Sequence, residues 1–175
     1  MTLSRFRLPA LLLTALFTLS GLSGCGGGDS NMPPQTPEQL AIAADNLAKG
    51  KAFMEANKEK EGVITLESGV QYKILSNGDD EARSPKLADS VKVHYRSFRI
   101  DGSELFDTHE EAAPQTVEVK RAILGWRKVL PMMRVGSKWM VYIPAYMAYS
   151  SKGFKDSIGP NETLIYELEL LEIVW

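Results

Sequence analysis

Hydrophobic and polar positions in the second half of the chain alternate in short runs, the period of half-buried strands. Val91, Val93 and Tyr95 fall on one face of a predicted strand over 90–99, with Lys92, His94 and Arg96 on the other. Val70, Tyr72 and Ile74 alternate in the same way with Gln71, Lys73 and Leu75. Further strands are expected over 116–119, 137–143 and 162–173, and turns at Asp101-Gly102, Asn77-Gly78 and Ser84-Pro85 punctuate the pattern. One stretch changes period. Trp126, Val129, Leu130 and Met133 recur at helical spacing, predicting a short amphipathic helix over 125–133 whose regularity is limited by Pro131, a residue without an N–H. Strands interrupted by a single helix predict an α+β domain, an antiparallel β-sheet with that helix on its concave face. Between the last two strands runs a loop, Pro144 to Asn161, longer than compact domains usually tolerate without a function.

Ahead of this domain, a helix is predicted over 37–61, with Thr36 as N-cap, Pro37 at its first position and Glu38 in its first turn. Leu40, Leu47 and Met54 recur every seven residues along it, flanked by Ala43, Ala44 and Ala48. That stripe fits a solvated helix resting loosely on its own domain, or a stalk pairing two copies into a homodimer. Gly50 weakens it by about 1 kcal/mol.

Residues 1–24 have the form of an export leader. Arg5 and Arg7 precede an apolar run from Leu8 to Leu19, shorter than the roughly 20 residues a membrane-spanning helix needs. The run ends in Leu22-Ser23-Gly24-Cys25, which resembles the bacterial lipobox, and Cys25 is the sole cysteine. It is therefore the expected lipidation site. Acylation there would hold the protein on a membrane, each buried methylene contributing about 0.8 kcal/mol. Gly26 at the following position points to the outer membrane, periplasmic face, and residues 25–36 read as a flexible tether. Without Arg5 and Arg7 the 20 basic residues become 18, against 22 acidic ones, so the mature chain carries −4. Nothing in that balance calls for nucleic acid as a partner.

Reactive groups are scarce. His94 and His109 read as surface residues, neither has a neighbour at metal-ligand spacing, and no phosphate-binding glycine loop occurs, so no cofactor and no metal is expected. What stands out instead is a set of aromatic positions in fixed order: Tyr95, Phe106-Asp107, Ile123-Leu124-Gly125-Trp126, Ala148-Tyr149, and Tyr166 within the last strand. Over roughly residues 68–173 this order and spacing resembles the FKBP family of peptidyl-prolyl cis-trans isomerases. The segment before it is similar to the stalk of the Mip-like bacterial subgroup.

The resemblance implies an FKBP-like domain over 62–175 acting on proline-containing polypeptide substrates and open to macrolide-type inhibitors. Trp126 would floor the proline pocket, with Tyr95, Phe106 and Tyr166 as walls, Ile123 beside them and Ile158 closing the far side. The Ile123 N–H and the Tyr149 hydroxyl would donate to substrate carbonyls, and Asp107 would stand at the rim. Rotation about the X-Pro bond suits such a site. Its barrier of about 18–20 kcal/mol is amide resonance, and an apolar pocket disfavours the polar planar form without any nucleophile.

Several residues depart from the family pattern. Leu105 is one residue too many before Phe106-Asp107 and requires a bulge; Val117 is smaller than the usual aromatic; Ser97, Ser150 and Gly159 replace a glycine, a glycine and a proline. These departures leave a second reading open, a tethered binding or chaperone module with the same shape and little turnover.

Overall fold

Strand β3, Ser90–Arg99, organises the sheet because both of its edges are used and one of them is used twice. Along one edge it pairs with β7, Leu164–Val174, over its whole length. Along the other, its first half pairs with β5, Gln115–Glu118, and its second half with β4, Glu104–Asp107. In the computed structural model, which describes residues 36–110 and 113–174, seven antiparallel strands follow the order β1-β2-β6-β7-β3-β4, with β5 beside β4 on β3. Here β1 is Ile64–Thr65, β2 Gln71–Ser76 and β6 Lys138–Ile143. All described residues lie in one compact unit, Gln35–Trp175. The α+β architecture expected from the alternation is present. The leader, Cys25 and the tether up to residue 35 lie outside the described residues.

The expected short helix is α2, Leu124–Val129. At Leu130–Met132 it tightens into a 3-10 turn containing Pro131, the irregularity anticipated for a residue with no N–H to give. Its apolar face (Trp126, Val129, Leu130 and, just beyond, Met133) is buried against Val141 and Ile143 of β6 and Leu164, Leu168 and Leu170 of β7. Gly125 permits that contact. A Cβ there would lie 2.6 Å from two carbons of Ile143, so only glycine brings α2 this close to the sheet.

Strand β2 departs from the simple alternation. Val70 and Tyr72 are buried, Tyr72 stacking on Trp139 with ring centroids 4.5 Å apart, but Ile74 is 40% exposed. The Tyr72–Trp139 stack completes the core, leaving Ile74 at its margin. Gln71, expected to face water, is buried because the opposite face of β2 is covered by the N-terminal helix. Its Nε2 donates to the Met54 carbonyl at 2.9 Å, and its Oε1 accepts from Asn57 Nδ2 at 2.9 Å.

That helix, α1, spans Pro37–Asn57 and starts as predicted. The Thr36 hydroxyl accepts from the Gln39 N–H while the Gln39 side chain accepts from the Thr36 N–H, a reciprocal capping box with Pro37 inside the first turn. It ends four residues short of 61, where Asn57 turns its side chain into Gln71 and the chain reverses. The face that docks is offset from the leucine stripe. Ala43, Gly50, Met54 and Asn57 are buried, whereas Leu40 and Leu47 are 54% and 38% exposed. Among the described residues no helix is long and apolar enough to cross a membrane.

Small residues set this docking. A Cβ on Gly50 would stand 2.3 Å from Thr163 Oγ1 and 3.2 Å from its Cβ. Gly50→Ala should therefore destabilise the chain by about 1–2 kcal/mol, although alanine is the better helix former. Denaturant titration checks this, and Thr163→Ala in the same chain should recover most of the loss. A Gly50→Ala protein more stable than the original would mean that α1 does not dock here.

Candidate functional site

The concave face of the sheet holds a cavity of about 310 Å³ whose floor is Trp126. The indole is 5% exposed and meets two tyrosine rings edge-on: Tyr95 at 5.1 Å and 82°, Tyr166 at 5.4 Å and 79°. Edge-to-face packing of this kind fixes ring orientations beyond what burial alone would do. Tyr95 comes from β3, Tyr166 from β7 and Trp126 from α2, so three elements meet at one point. Val117, Ile123 and Tyr149 complete the wall, with Gln115 and Arg121 also bordering the space. Val117 occupies the wall as the smaller side chain noted in the sequence.

Tyr149 arrives from the long loop. Its ring stacks on Phe154, 4.8 Å away and 27° from parallel, and its hydroxyl is hydrogen-bonded with that of Tyr166. Burial pushes the Tyr149 phenol above the usual tyrosine value, partly offset by the bond from Tyr166. Tyr166 is driven much higher by its deeper burial, with Tyr149 and Tyr95 adding to the effect. Both phenols stay neutral at ordinary pH, so each keeps a proton to donate. Ile123, the N-cap of α2, has extended backbone (φ −55°, ψ 151°), and its N–H is among those a helix start leaves without an intrahelical partner.

Phe106, Asp107 and Ile158 are the remaining sequence-predicted positions. Phe106 stands behind Tyr95 at 5.4 Å and lines a neighbouring recess with Glu104, Leu105, Asp107 and Glu110. The bulge that Leu105 requires is present: the β3–β4 register passes from Ser97↔Phe106 to Phe98↔Glu104, skipping Leu105. Asp107, expected at the rim, borders the same recess, and its carboxylate is held by cations and donors nearby. One carboxylate oxygen accepts from the His109 N–H at 2.8 Å and meets its Nδ1 at 2.7 Å; the other lies 3.2 Å from Arg96 Nε. Partial burial acts to raise its pKa, but the His109 N–H, the His109 ring and Arg96 outweigh it and leave the carboxyl below the usual aspartate value. Ile158 packs on the core and pairs with Phe154, each N–H donating to the other's carbonyl.

Sequence reasoning missed Thr108. It fills the gap on β3 where β4 has ended and β5 has not begun, its hydroxyl accepting from the Tyr95 N–H at 2.9 Å and its N–H donating to the Tyr95 carbonyl. The same hydroxyl meets His94 Nδ1 at 2.8 Å, and His94 stacks on His109 at 4.3 Å. His94 is thus half-buried behind Tyr95, while His109 stays at the surface beside Asp107 as expected. No local signal marks Thr108, because its role follows from the two-strand edge of β3. Among the described residues no group of three or more histidines, cysteines or carboxylates is placed to hold a metal.

A sheet wrapped on one short helix, with an indole floor and phenol walls, defines the prolyl-isomerase class of the FKBP fold. A family described as FKBP-type peptidyl-prolyl cis-trans isomerase matches residues 81–171, and the domain amino terminal to it matches residues 32–74. The chain belongs to the FKBP-type peptidyl-prolyl cis-trans isomerase family. It is 41% identical over 142 residues to the outer membrane protein MIP of Legionella longbeachae, covering 81% of this chain and 60% of that protein. It is 39% identical over 128 residues to the peptidyl-prolyl cis-trans isomerase Mip of Coxiella burnetii, covering 73% and 55%. The crystal structure of FkpA from Escherichia coli superposes with a TM-score of 0.74 at 33% identity, covering 78% of this chain and 62% of that one. The chain thus spans 55–60% of the length of these two Mip relatives.

Two predictions follow from the site's periphery. Ser150, where the family pattern has glycine, adopts φ +53°, a left-handed conformation that costs a non-glycine residue about 1–2 kcal/mol. Ser150→Gly should raise stability by about 0.5–1 kcal/mol after glycine's extra unfolded-state entropy is deducted, read by thermal or denaturant unfolding. Asp107→Asn should weaken the fold at neutral pH. Because the native carboxyl has a depressed pKa, its contribution is present above the unfolded value of about 3.9 and is lost as pH falls through the native one. The stability gap between Asp107→Asn and the original chain should therefore close in acid; a gap that is constant from pH 7 to pH 2 would refute the ion-pair account.

Proposed function

We propose that this chain catalyses cis-trans rotation of X-Pro bonds in exported, partly folded polypeptides. The observation that carries this reading is the cavity walled by Tyr95 and Tyr166 over Trp126, with the Tyr149 hydroxyl as a donor at its edge. A proline ring seated on the indole would place its preceding carbonyl among apolar rings. There the planar, charge-separated amide loses solvation that the twisted amide, with localised electrons, needs less. Favouring the twisted form in this way lowers the barrier without proton transfer or covalent chemistry. Tyr149 and the Ile123 N–H would hold flanking carbonyls, and Phe106 and Ile158 would support the wall from behind. Asp107, clasped by Arg96 and His109, would set the rim rather than touch substrate. Macrolide-type inhibitors would compete for the same cavity.

The cell-level reading follows from residues 1–36 and from the exposed leucines. Cleavage after Gly24 and acylation of Cys25 would anchor the domain to the outer membrane, facing the periplasm. Leu40 and Leu47, left exposed on α1, would let two copies pair as a homodimer.

The test is proline exchange measured by NMR on short X-Pro peptides with a soluble chain of residues 31–175. Exchange should run well above background, and Tyr149→Phe should lower it about tenfold, the loss of one hydrogen bond of about 1–1.5 kcal/mol. A folded sample that does not accelerate exchange would leave the binding-module reading in its place.

A further inference from the structure

The long loop that carries Tyr149 is fastened to α1. Asn46 Nδ2, from the middle of the helix, donates to the Pro160 carbonyl at 2.9 Å. In the opposite direction, Asn161 Nδ2 donates to the Ala43 carbonyl at 3.1 Å, a helix carbonyl whose second lone pair remains available. Two asparagines thus cross-link helix and loop through a part-buried seam. The loop end they hold is shaped for the purpose. Asn161 adopts φ +57°, a conformation asparagine tolerates better than most residues, and Gly159 donates its N–H to Glu162 Oε1 at 3.0 Å.

The seam reaches the cavity in two steps. The Asn161 N–H donates to the Ser150 carbonyl at 2.8 Å, joining the two ends of the loop's second half, and Ser150 follows Tyr149 directly. Between those ends, the Phe154–Ile158 hairpin lies with Phe154 stacked on the Tyr149 ring. We propose that Asn161 and Asn46 are positioning residues through which α1 holds Tyr149 over the floor of the cavity, so that the site is incomplete without the N-terminal helix. This rests on the isomerase reading for its consequence in turnover, but the mechanical coupling does not.

A loop released from α1 would sample conformers in which Tyr149 is not aimed at the substrate carbonyl. Such conformers divide the apparent dissociation constant by the competent fraction, raising it, and leave the chemical step of the competent enzyme unchanged. The signature is therefore a rise in KM at nearly constant kcat, together with faster hydrogen exchange in the loop.

Three variants of the soluble chain of residues 31–175 carry the test. Asn161→Gly keeps the positive φ and deletes the donor; Asn161→Asp also tolerates that φ and cannot donate; Asn46→Ala cuts the other strut. Each should raise KM for X-Pro peptides by about three- to tenfold with kcat within a factor of about two. Exchange of the Phe154 and Ile158 amides should speed by a similar factor while the sheet amides of β3 and β7 keep their protection. Unchanged KM and unchanged loop exchange in all three variants would overturn the proposal, as would loss of protection throughout the sheet, which would mark a general stability effect. If the unaltered chain rotates no peptide bond, the activity reading fails, and amide exchange alone then decides the coupling.

Discussion

The bare Cα of Gly125 is the contact on which the site depends. It lets α2 approach Ile143 to a distance no side chain would allow, and that approach lowers the neighbouring Trp126 between Tyr95 and Tyr166. Core and cavity floor are therefore one packing problem. Val129, Leu130 and Met133 seal the helix to the sheet from below while Trp126 presents its face above. Close-packed interiors resist displacement by even a methyl group, so the indole acts as a fixed surface and not as an adaptable one. The amide rotation proposed for this site needs that stiffness, since a floor that yielded would accommodate both amide geometries.

The same burial gives the phenols their chemistry. In the proposed reaction, which transfers no proton, a neutral phenol can serve as a hydrogen-bond donor, and desolvation keeps Tyr149 and Tyr166 in that form. Their proximity couples the two phenols, and Tyr149, the less buried of the pair, borders the cavity. Arg121 is the charged side chain that borders this wall. Asp107 is held by Arg96 and His109 in the adjoining recess, where its charge is compensated within the protein. A carboxylate facing the cavity would bring hydration with it and weaken the medium effect on the amide.

Much of this was legible in the sequence, and the reasons differ by residue. The period-two runs gave β2, β3, β6 and β7, and the helical spacing from Trp126 to Met133 gave α2, because buried faces impose those periods directly. The Leu105 bulge was legible as a count, one residue more than the family pattern holds between turn and aspartate. Ile74, Gln71, Thr108 and the docked face of α1 were not. Each depends on what lies against the strand or helix from elsewhere in the chain: the Tyr72–Trp139 stack, the capping of Gln71 by Asn57, the interrupted edge of β3, and Thr163 against Gly50. The aromatic order located the cavity, but it could not reveal that Arg96 and His109 would pair with Asp107, because that outcome is a competition among side chains and not a spacing.

The N-terminal helix shows why a seven-residue leucine repeat was a poor guide to its packing. Leucine reads as the buried residue, yet α1 buries its small and polar positions, Ala43, Gly50 and Asn57, along with Met54. Small residues allow the helix backbone to come within hydrogen-bond reach of the loop ahead of β7, where carbonyls and amides of the two segments can satisfy one another. A leucine face at that surface would hold the backbones farther apart and leave the Pro160 carbonyl without its partner on the helix. Intimate docking thus requires the leucines to point elsewhere. Their exposure follows from the docking, and a second chain could cover Leu40 and Leu47 without disturbing any contact that ties the helix to its own domain.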